Sequence, residues 1–502
     1  MKKHWQRISF IITVIFLFNL ILPAAYGADS VQDFSRLQAL GIVRGYTDEY
    51  GTDFMPGQSI TRAEYATLAV SALGLGPVAV TAKGKTNFKD VPAWHWASGH
   101  INLAVTYDII SGYPNETFKP EENVSYTEAL AIAVRLLGYG PTVQGDWPVN
   151  YITKAAQLGL LDNVDIADST EPATRGEVFQ IIERALDTKP LVNGRRGYWE
   201  EDGSFLEKRL GVKKYEGTVT GTPLYTGLNM DYVSIRLAGD NTVTLPVTNS
   251  EIDPDNYYGL RVRVIEKGDK VLHLKVLTDP GDIKDTTVKS KDAAKKTLTL
   301  SASSQTVSVA NAVIKKNFAD SSLSSLGTYE SIKVILDGSG QAAYVLCTSY
   351  TTGLVQGVEV SNEKIILRSD GLWPGKSGTI NLQGKRVKIF RGAKKISLGE
   401  IKKGEVLDYI EAGNACYIIV TDKIKEGKLT SVTVSTSTTW KLNLEEKLEN
   451  STISTAKYIY VSTNNGDSFT KVSKSDDFRP VMGQNIKVLL DKSGKAAYVI
   501  CR

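Results

Sequence analysis

Cysteine and histidine are scarce in this 502-residue chain, with 3 and 4 residues respectively. Cys347, Cys416 and Cys501 are too few and too far apart for a disulfide framework, so we expect buried free thiols. Beyond residue 190 the only histidine is His273, which argues against Ser-His-Asp chemistry in that part of the chain. The composition therefore favours neither a disulfide-stapled domain nor a triad hydrolase.

Long apolar runs are also lacking, apart from residues 8–22. This run follows basic residues and precedes Ala25-Tyr26-Gly27, so residues 1–27 are predicted to be a signal peptide, with a cut after Ala28 as the alternative. The run is shorter than the roughly 20 residues that a membrane-spanning helix needs. We therefore predict an exported chain with no membrane span after cleavage.

Clustered positive charge is missing as well. Residues 28–190 contain 12 Lys or Arg against 20 Asp or Glu, and the whole chain has a net charge of only +4. Nucleic-acid binding needs basic residues gathered on one face, so we do not expect a nucleic-acid partner. His95 and His100 have no carboxylate or cysteine at a ligand-like spacing, so neither a metal site nor a cofactor is predicted.

A short motif is present three times, at residues 61–64, 125–128 and 174–177. Each copy places Ser or Thr three residues before Glu and directly ahead of an apolar run with helical spacing, which is typical of a capping box. A single helical hairpin cannot bury its apolar face, so we expect the three copies to pack together. Helix capping, worth about 1 kcal/mol per cap, is assigned to Thr61, Glu64, Ser125, Glu128, Thr174 and Glu177.

A second repeated pattern surrounds these caps. Gly45-Tyr46 is followed by Phe54-Met55-Pro56, and Gly112-Tyr113 is followed by Phe118-Lys119-Pro120. The second copy is preceded by Phe88-Lys89-Asp90 and Trp96, and the third by Trp147. Each copy therefore consists of a helix, a Gly-containing turn, a Pro-containing loop and a second helix.

These motifs resemble the S-layer homology domain of bacterial surface proteins. The resemblance covers about residues 30–189 and implies an all-α, pseudo-threefold unit with modules at 28–83, 84–140 and 141–190. It also implies non-covalent binding to secondary cell-wall polysaccharide, often pyruvylated, on a Gram-positive-type wall.

The three copies depart from the family pattern in different ways. The first lacks the Phe-x-Asp and Trp lead, the second has Tyr126 where Arg is expected, and the third has Asn163-Val164 in place of Gly-Tyr. We therefore do not expect three equally competent grooves.

Six residues are candidates for contact with the wall polymer. Arg62 and Arg175 are predicted to hold a carboxylate beside free backbone N–H groups at a helix N-terminus, with a surface ion pair as the alternative. Trp96 and Trp147 are predicted either to stack on a sugar or to pack between modules. For Gly45 and Gly112 we expect positive φ at a helix end, or close approach of a sugar.

The second half of the chain reads as β structure. Residues 191–214 are predicted to be a linker or a covering strap. Residues 332–347 are nearly repeated at 486–501, with looser copies at 261–276 and 406–420, and each pattern is typical of a hairpin. We therefore predict all-β repeat domains, small barrels or sandwiches, at 215–279, 280–350, 351–422 and 423–502.

The sequence thus predicts a surface protein anchored to the cell wall through its first half. The β repeats would be a spacer, a self-assembling layer or an interaction region. The alternatives are a wall-anchored glycan-active enzyme and a carbohydrate-binding adhesin. No catalytic motif supports the enzyme, and Trp373 and Trp440 are the only tryptophans beyond residue 214 that could serve an adhesin. We therefore predict that the chain is not an enzyme.

Overall fold

The computed structural model describes most of the chain in several stretches. These are residues 34–48, 51–161, 170–194, 197–249, 252–371, 378–392, 394–421, 423–436, 439–445 and 450–501. The predicted signal peptide, Asn163-Val164 and Trp373 lie outside the described residues.

Helices dominate residues 34–212, which we call the helical front. The helices α1 to α9 are Ser35–Ala39, Arg62–Ala72, Gly76–Thr81, Ser98–Thr106, Tyr126–Leu136, Val149–Gln157, Arg175–Asp187, Phe205–Leu210 and Pro223–Thr226. The last of these, α9, lies beyond the front. One continuous apolar core joins α1 to α8, and Ala and Leu residues at helical spacing on α2 and α5 supply much of it.

The three repeated motifs form the N-termini of α2, α5 and α7. Thr61, Ser125 and Thr174 each accept a hydrogen bond from the backbone N–H three residues later. The glutamate side chains at those later positions accept a hydrogen bond from the N-cap N–H, so the six predicted capping residues form three capping boxes.

A closed ring of backbone hydrogen bonds connects the three copies. The residue before each cap takes part: Ile60 donates to Ala173, Ala173 donates to Val124, and Val124 donates to Ile60. The N–O distances are 3.1, 2.8 and 3.0 Å. Each copy thus donates one bond and accepts one bond from a neighbour.

The helical front also contains two small strand pairs. Strands β1 (Tyr46–Asp48) and β2 (Gly51–Asp53) pair with each other, as do β3 (Leu191–Gly194) and β4 (Gly197–Glu200). The expectation of an all-α front is therefore too narrow, because the turn after Gly45 closes as a short hairpin.

The segment 191–212 lies against the helical front. Helix α8 begins with a fourth capping box, at Ser204 and Glu207. Its residues Phe205, Leu206 and Leu210 belong to the same core as α2 and α7, and are 7% exposed or less. The sequence left two interpretations of this segment open, a linker and a covering strap. In the structure the segment contributes buried side chains to the helical front.

The remaining strands form four antiparallel or mixed sheets in chain order. Sheet 1 contains β5 to β9, which are Lys213–Gly221, Tyr232–Leu237, Thr242–Pro246, Arg261–Glu266 and Val271–Val276. Sheet 2 contains β10 to β16, which are Ile283–Asp292, Thr297–Leu300, Thr306–Ser308, Val313–Lys316, Ala319–Asp320, Ser331–Leu336 and Ala342–Cys347. Sheet 3 contains β17 to β23, which are Thr351–Glu359, Lys364–Leu367, Thr379–Asn381, Arg386–Arg391, Lys394–Lys395, Val406–Ala412 and Ala415–Thr421. Sheet 4 contains β24 to β29, which are Ile424–Thr436, Thr439–Glu445, Asn450–Ser462, Thr470–Lys471, Asn485–Leu490 and Ala496–Cys501.

Sheets 2 and 3 have the same strand order. It is β12-β11-β10-β15-β16-β13-β14 in sheet 2 and β19-β18-β17-β22-β23-β20-β21 in sheet 3. In each of them one parallel pair lies beside the closing hairpin, β13 with β16 and β20 with β23. Sheet 4 keeps the corresponding pair, β26 with β29, and an additional pairing of β25 with β26 closes a five-stranded barrel.

In each sheet, the last two strands along the chain form a hairpin, which we call the closing hairpin. One cross-strand pair of this hairpin packs against the part of the protein that comes before the sheet in the chain, which is the helical front or an earlier sheet. The pairs are Ile265 with His273, Ile335 with Tyr344, Ile410 with Tyr417, and Leu489 with Tyr498. Ile265 packs into the core of the helical front, and Ile335 with Tyr344 packs into the core of sheet 1. The other two pairs lie in apolar clusters shared with residues from earlier sheets. The sheets are therefore docked on one another through a repeated contact.

The three cysteines are buried and free, as predicted. Burial raises the pKa of the Cys347 and Cys416 thiols to about 12, so both stay protonated and unreactive.

Candidate functional site

The N-termini of α2 and α7 do not present free N–H groups. The N–H of Arg62 donates to Glu122 at 2.9 Å, and the N–H of Ala63 donates to Pro120 at 3.0 Å. The equivalent groups on α7, at Arg175 and Gly176, donate to carbonyls of the first copy in the same way. The expectation of an open anion site at these N-termini is wrong, because a loop of a neighbouring copy covers them.

The side chain of Arg62 reaches into the second copy. Its Nε donates to the Phe118 carbonyl at 2.9 Å, and its Nη2 donates to the Ser111 carbonyl at 2.8 Å. The guanidinium also lies 4.9 Å from the centre of the Tyr113 ring, and Arg62 as a whole is 5% exposed. A third contact, Nη1 to Glu128 at 3.5 Å, reaches the capping glutamate of that copy. Arg62 thus bridges two copies from a buried position.

Arg175 repeats this arrangement between the third copy and the first. Its Nε donates to the Phe54 carbonyl at 3.1 Å, and its Nη1 donates to Glu64 at 3.0 Å. The guanidinium lies over the Phe179 ring, and the residue is 9% exposed. Neither arginine is a surface ion pair, because both guanidinium groups are enclosed between copies.

Tyr126 occupies the matching position in the second copy, where the sequence lacks arginine. Its Oη is buried and has no hydrogen-bond acceptor or donor among the described residues. Burial raises the pKa of Tyr126 to about 12, and the charge of Glu177 adds to the shift. The ring of Arg-to-Glu contacts between copies is therefore interrupted at this position.

Trp96 and Trp147 are on the surface. Their exposed fractions are 52% and 53%, so the alternative of core packing between modules is wrong. The Trp96 ring stacks on His95 with 5.7 Å between ring centres, and His95 Nε2 lies 3.2 Å from Glu121. Both residues thus expose about half of their surface, and an exposed indole can receive the apolar face of a sugar ring.

Trp147 has a different support. Its ring contacts Tyr151 edge to face at 5.8 Å, and the Tyr151 hydroxyl accepts a hydrogen bond from Arg135 Nε. The Arg135 guanidinium also lies 5.0 Å from the centre of the Tyr151 ring. The two candidate indoles are thus equally exposed but differently held.

Gly112 does not have the predicted positive φ. The helix that precedes it ends earlier, where Asp108 adopts φ of 56°, and Gly41 has φ of 70° after α1. A Cβ on Gly112 would lie 2.1 Å from the Phe88 ring, so close packing explains this glycine. Gly45 directly precedes β1 and is not at a helix end.

The sequence patterns did not identify Asp90 as a site residue, although it holds the loop at Phe118 that Arg62 also contacts. Its two carboxylate oxygens accept the N–H groups of Phe118 and Lys119 at 2.8 and 2.7 Å. Lys119 has φ of 59° and lies over the Tyr113 ring. The Phe-x-Asp pattern was the signal for this contact.

Other site types find no support among the described residues. In the ranges that the structure describes, no three His, Cys, Asp or Glu side chains are grouped to hold a metal ion. No helix in these ranges has the length and apolar character needed to cross a membrane. Trp440 is 4% exposed and packs edge to face against Phe478, so it offers no sugar platform.

Comparison with known proteins identifies the repeated pattern. Residues 87–130 match the S-layer homology domain. The chain is 27% identical to the Middle cell wall protein of Brevibacillus brevis, over 94% of this chain and 50% of that protein. It is 26% identical to the Surface layer protein of Brevibacillus choshinensis, over 92% of this chain and 47% of that protein. A 113-residue stretch is 42% identical to the Cellulosome-anchoring protein of Acetivibrio thermocellus, over 21% of this chain and 24% of that protein.

The chain therefore contains an S-layer homology domain and is similar over most of its length to bacterial cell-surface proteins. It spans about half the length of the first two relatives.

Proposed function

We propose that this chain is an exported surface protein whose helical front holds it non-covalently to secondary cell-wall polysaccharide. The observation that carries the proposal is the S-layer homology match at 87–130, which includes Trp96, Gly112 and the second capping box. The similarity of the front to a protein named as cellulosome-anchoring supports the same role. The similarity to the named cell-wall and surface-layer proteins supports a place at the cell surface.

The three copies form one pseudo-threefold unit in this proposal, with modules at 28–83, 84–140 and 141–190. The ring of hydrogen bonds through Ile60, Val124 and Ala173 supports this arrangement. The contacts of Arg62 and Arg175 with the next copy support it as well. Because each arginine orders the loop of a neighbour, polymer binding by one copy depends on its contact with another.

Sugar contact is assigned to Trp96 and Trp147, whose exposed indoles suit stacking on a pyranose ring. Arg62 and Arg175 act mainly as positioning residues that hold the loops at Phe118 and Phe54.

The β sheets act in this proposal as a spacer or as a layer-forming region rather than as an enzyme. Repeated docking through Tyr344, Tyr417 and Tyr498 supports a stiff arrangement of the sheets. Self-assembly on the cell surface would use the same part of the chain.

Co-sedimentation with purified wall sacculi tests the anchoring role. Fragments 28–212 and 213–502 are compared, with the cut after residue 212 because α8 packs into the front. We expect the first fragment to sediment and the second to stay in solution. The opposite result would refute the proposal.

A tryptophan series tests the assigned contacts in the same assay. Trp96→Ala and Trp147→Ala should each weaken binding by about tenfold, the loss of one stacking contact of about 1–1.5 kcal/mol. Trp199→Ala is the matched control, since this indole is 49% exposed and lies outside the repeated motifs. Equal binding by all three variants would remove both indoles from the site.

A further inference from the structure

A buried lysine lies between two aspartates at the contact of sheet 1 with sheet 3. Lys388 Nζ donates to Asp253 Oδ1 and to Asp255 Oδ2. The side chains of the three residues are 2%, 9% and 4% exposed. Lys388 is on β20, and both aspartates belong to the loop and 3-10 turn that lead into β8. The helical front and its polymer site take no part in this cluster.

Aromatic side chains enclose the cluster. Tyr417 is the register partner of Lys388 on the adjoining strand β23. Tyr225, Tyr350 and Tyr417 join one apolar cluster that combines residues from sheets 1, 2 and 3. Burial together with the charge of Asp253 raises the pKa of Tyr417, which indicates that the ring is close to the carboxylates. The lysine and aspartates therefore face each other in a dry, low-dielectric environment.

The two aspartates are held in different ways. Asp255 Oδ1 accepts the N–H of Leu224 at 2.9 Å, so both of its oxygens have donors. Asp253 Oδ1 accepts the N–H of Asp255 and the lysine, whereas its Oδ2 is buried and has no hydrogen-bond contact among the described residues. An uncharged carboxyl group fits Asp253 better than a carboxylate does, because an orphan buried oxygen is less costly when it is not ionised.

The charge states agree with this difference. Burial raises the pKa of Asp253, the Lys388 charge opposes the rise and the Asp255 charge adds to it, and the net shift is upward. Burial lowers the pKa of Lys388, but the charges of Asp255 and Asp253 outweigh it and the net shift is upward. The three groups can react from the state with an ammonium, one carboxylate and one carboxylic acid, which has zero net charge.

We propose that Lys388 and Asp253 join in an intramolecular amide bond, with Asp255 relaying the protons. Asp255 takes one proton from the ammonium, and the neutral Nζ attacks Cγ of Asp253. The C–N bond forms and one C–O bond of Asp253 breaks. The amine loses a second proton through Asp255 to the departing hydroxyl, which leaves as water. The products are one secondary amide, one water molecule and a protonated Asp255, and no oxidant or cofactor is needed.

This bond would connect positions 135 residues apart in the sequence. It would tie sheet 1 to sheet 3 across the whole of sheet 2. A covalent connection of this kind restricts the unfolded chain, as other long-range cross-links do. A surface protein exposed to mechanical load and proteases would gain resistance to unfolding from it.

Peptide mass spectrometry of the full-length protein tests the proposal. Trypsin cleavage should release residues 237–261 joined to residues 387–391, with a combined mass about 18 Da below the sum of the two peptides, the mass of one water lost in a covalent modification. Lys388→Arg and Asp253→Ala should abolish the joined species. Lys315→Arg is the matched control, because Lys315 is a buried lysine whose aspartate, Asp320, is exposed to water; the joined species should remain.

The relay role has its own variant. Asp255→Asn should slow bond formation by about a hundredfold, within the range for loss of a general acid-base group, while circular dichroism shows that the sheets are retained. Bond formation at the wild-type rate would overturn the relay. Cleavage after Lys388 with no mass loss, in wild-type protein stored for days, would overturn the amide bond and leave the cluster as an ion pair only. The wild-type measurement stands even if a variant fails to fold.

Discussion

Replacing Arg62 by alanine should destabilise the helical front rather than only weaken its ligand binding. The guanidinium donates to the carbonyls of Phe118 and Ser111 and lies over two aromatic rings in a site that is 5% exposed. Hydrogen bonds from a charged donor contribute about 1.5–3 kcal/mol each when buried. The Ser111 bond is at an exposed residue and counts at the lower end. With about 0.5–1 kcal/mol for the cation–π contact, the expected loss is about 4 kcal/mol.

Urea unfolding followed by far-ultraviolet circular dichroism measures this loss, because most helices of the described chain are in the front. Arg44→Ala is the control, since Arg44 is exposed and should change the free energy of unfolding by less than about 0.5 kcal/mol. If Arg62→Ala unfolded like the wild type while losing all affinity for wall polymer, the positioning role would be wrong. Arg62 would then be a direct ligand residue.

Three further perturbations test other parts of the structure. Tyr126→Phe should leave the free energy of unfolding in the same urea titration unchanged or raise it slightly, because the Tyr126 hydroxyl has no hydrogen-bond partner among the described residues. Tyr65→Phe removes a buried 2.9 Å hydrogen bond to the Ala129 carbonyl and should lower it by about 1 kcal/mol. A larger loss for Tyr126→Phe than for Tyr65→Phe would contradict this difference between the two hydroxyls. Gly112→Ala should lower the free energy of unfolding by about 2 kcal/mol, because the new Cβ would collide with the Phe88 ring. An unchanged melting temperature would contradict this close packing. Burial and the charge of Asp491 raise the pKa of Asp408 from 3.8 to about 6. The folded protein therefore favours the uncharged carboxyl group, and the free energy of opening the contact between sheets 3 and 4 should fall by about 3 kcal/mol as pH rises from about 4 to 6. Hydrogen exchange of β22 and β28 measures this, and Asp408→Asn should reduce the pH dependence, with a remainder from Asp491, whose pKa burial also raises.

Periodic and capping patterns predicted the local structure well. The capping boxes at Thr61, Ser125 and Thr174 were read directly from a three-residue spacing, because both bonds of the box form within one helical turn. The hairpins that close sheets 2 and 4 were likewise visible as a near-identical repeat. Such features depend only on neighbours in the sequence.

Contacts between copies were not visible in the same way. The sequence placed Arg62 next to open N–H groups, but a loop from the second copy covers them and takes up the guanidinium. That loop is 49 to 56 residues away along the chain. A single sequence gives the type of residue at a helix start but not the distant segment that packs against it.

The tryptophans illustrate the same limit. Trp96 and Trp147 lie two residues before α4 and α6, and the pattern left core and surface roles open. Their exposure depends on the direction in which a loop leaves the helix, which the spacing does not determine. The Lys388 cluster was invisible for a related reason, because Lys388 lies more than 130 residues along the chain from the two aspartates.

Binding of the full-length protein to wall sacculi before and after extraction of the secondary polysaccharide tests the anchoring role most directly. We expect the protein to sediment with intact sacculi, to stay in solution with extracted ones, and to be released by added free polymer. Equal sedimentation with intact and extracted sacculi would contradict the account, because the ligand would then be the peptidoglycan itself.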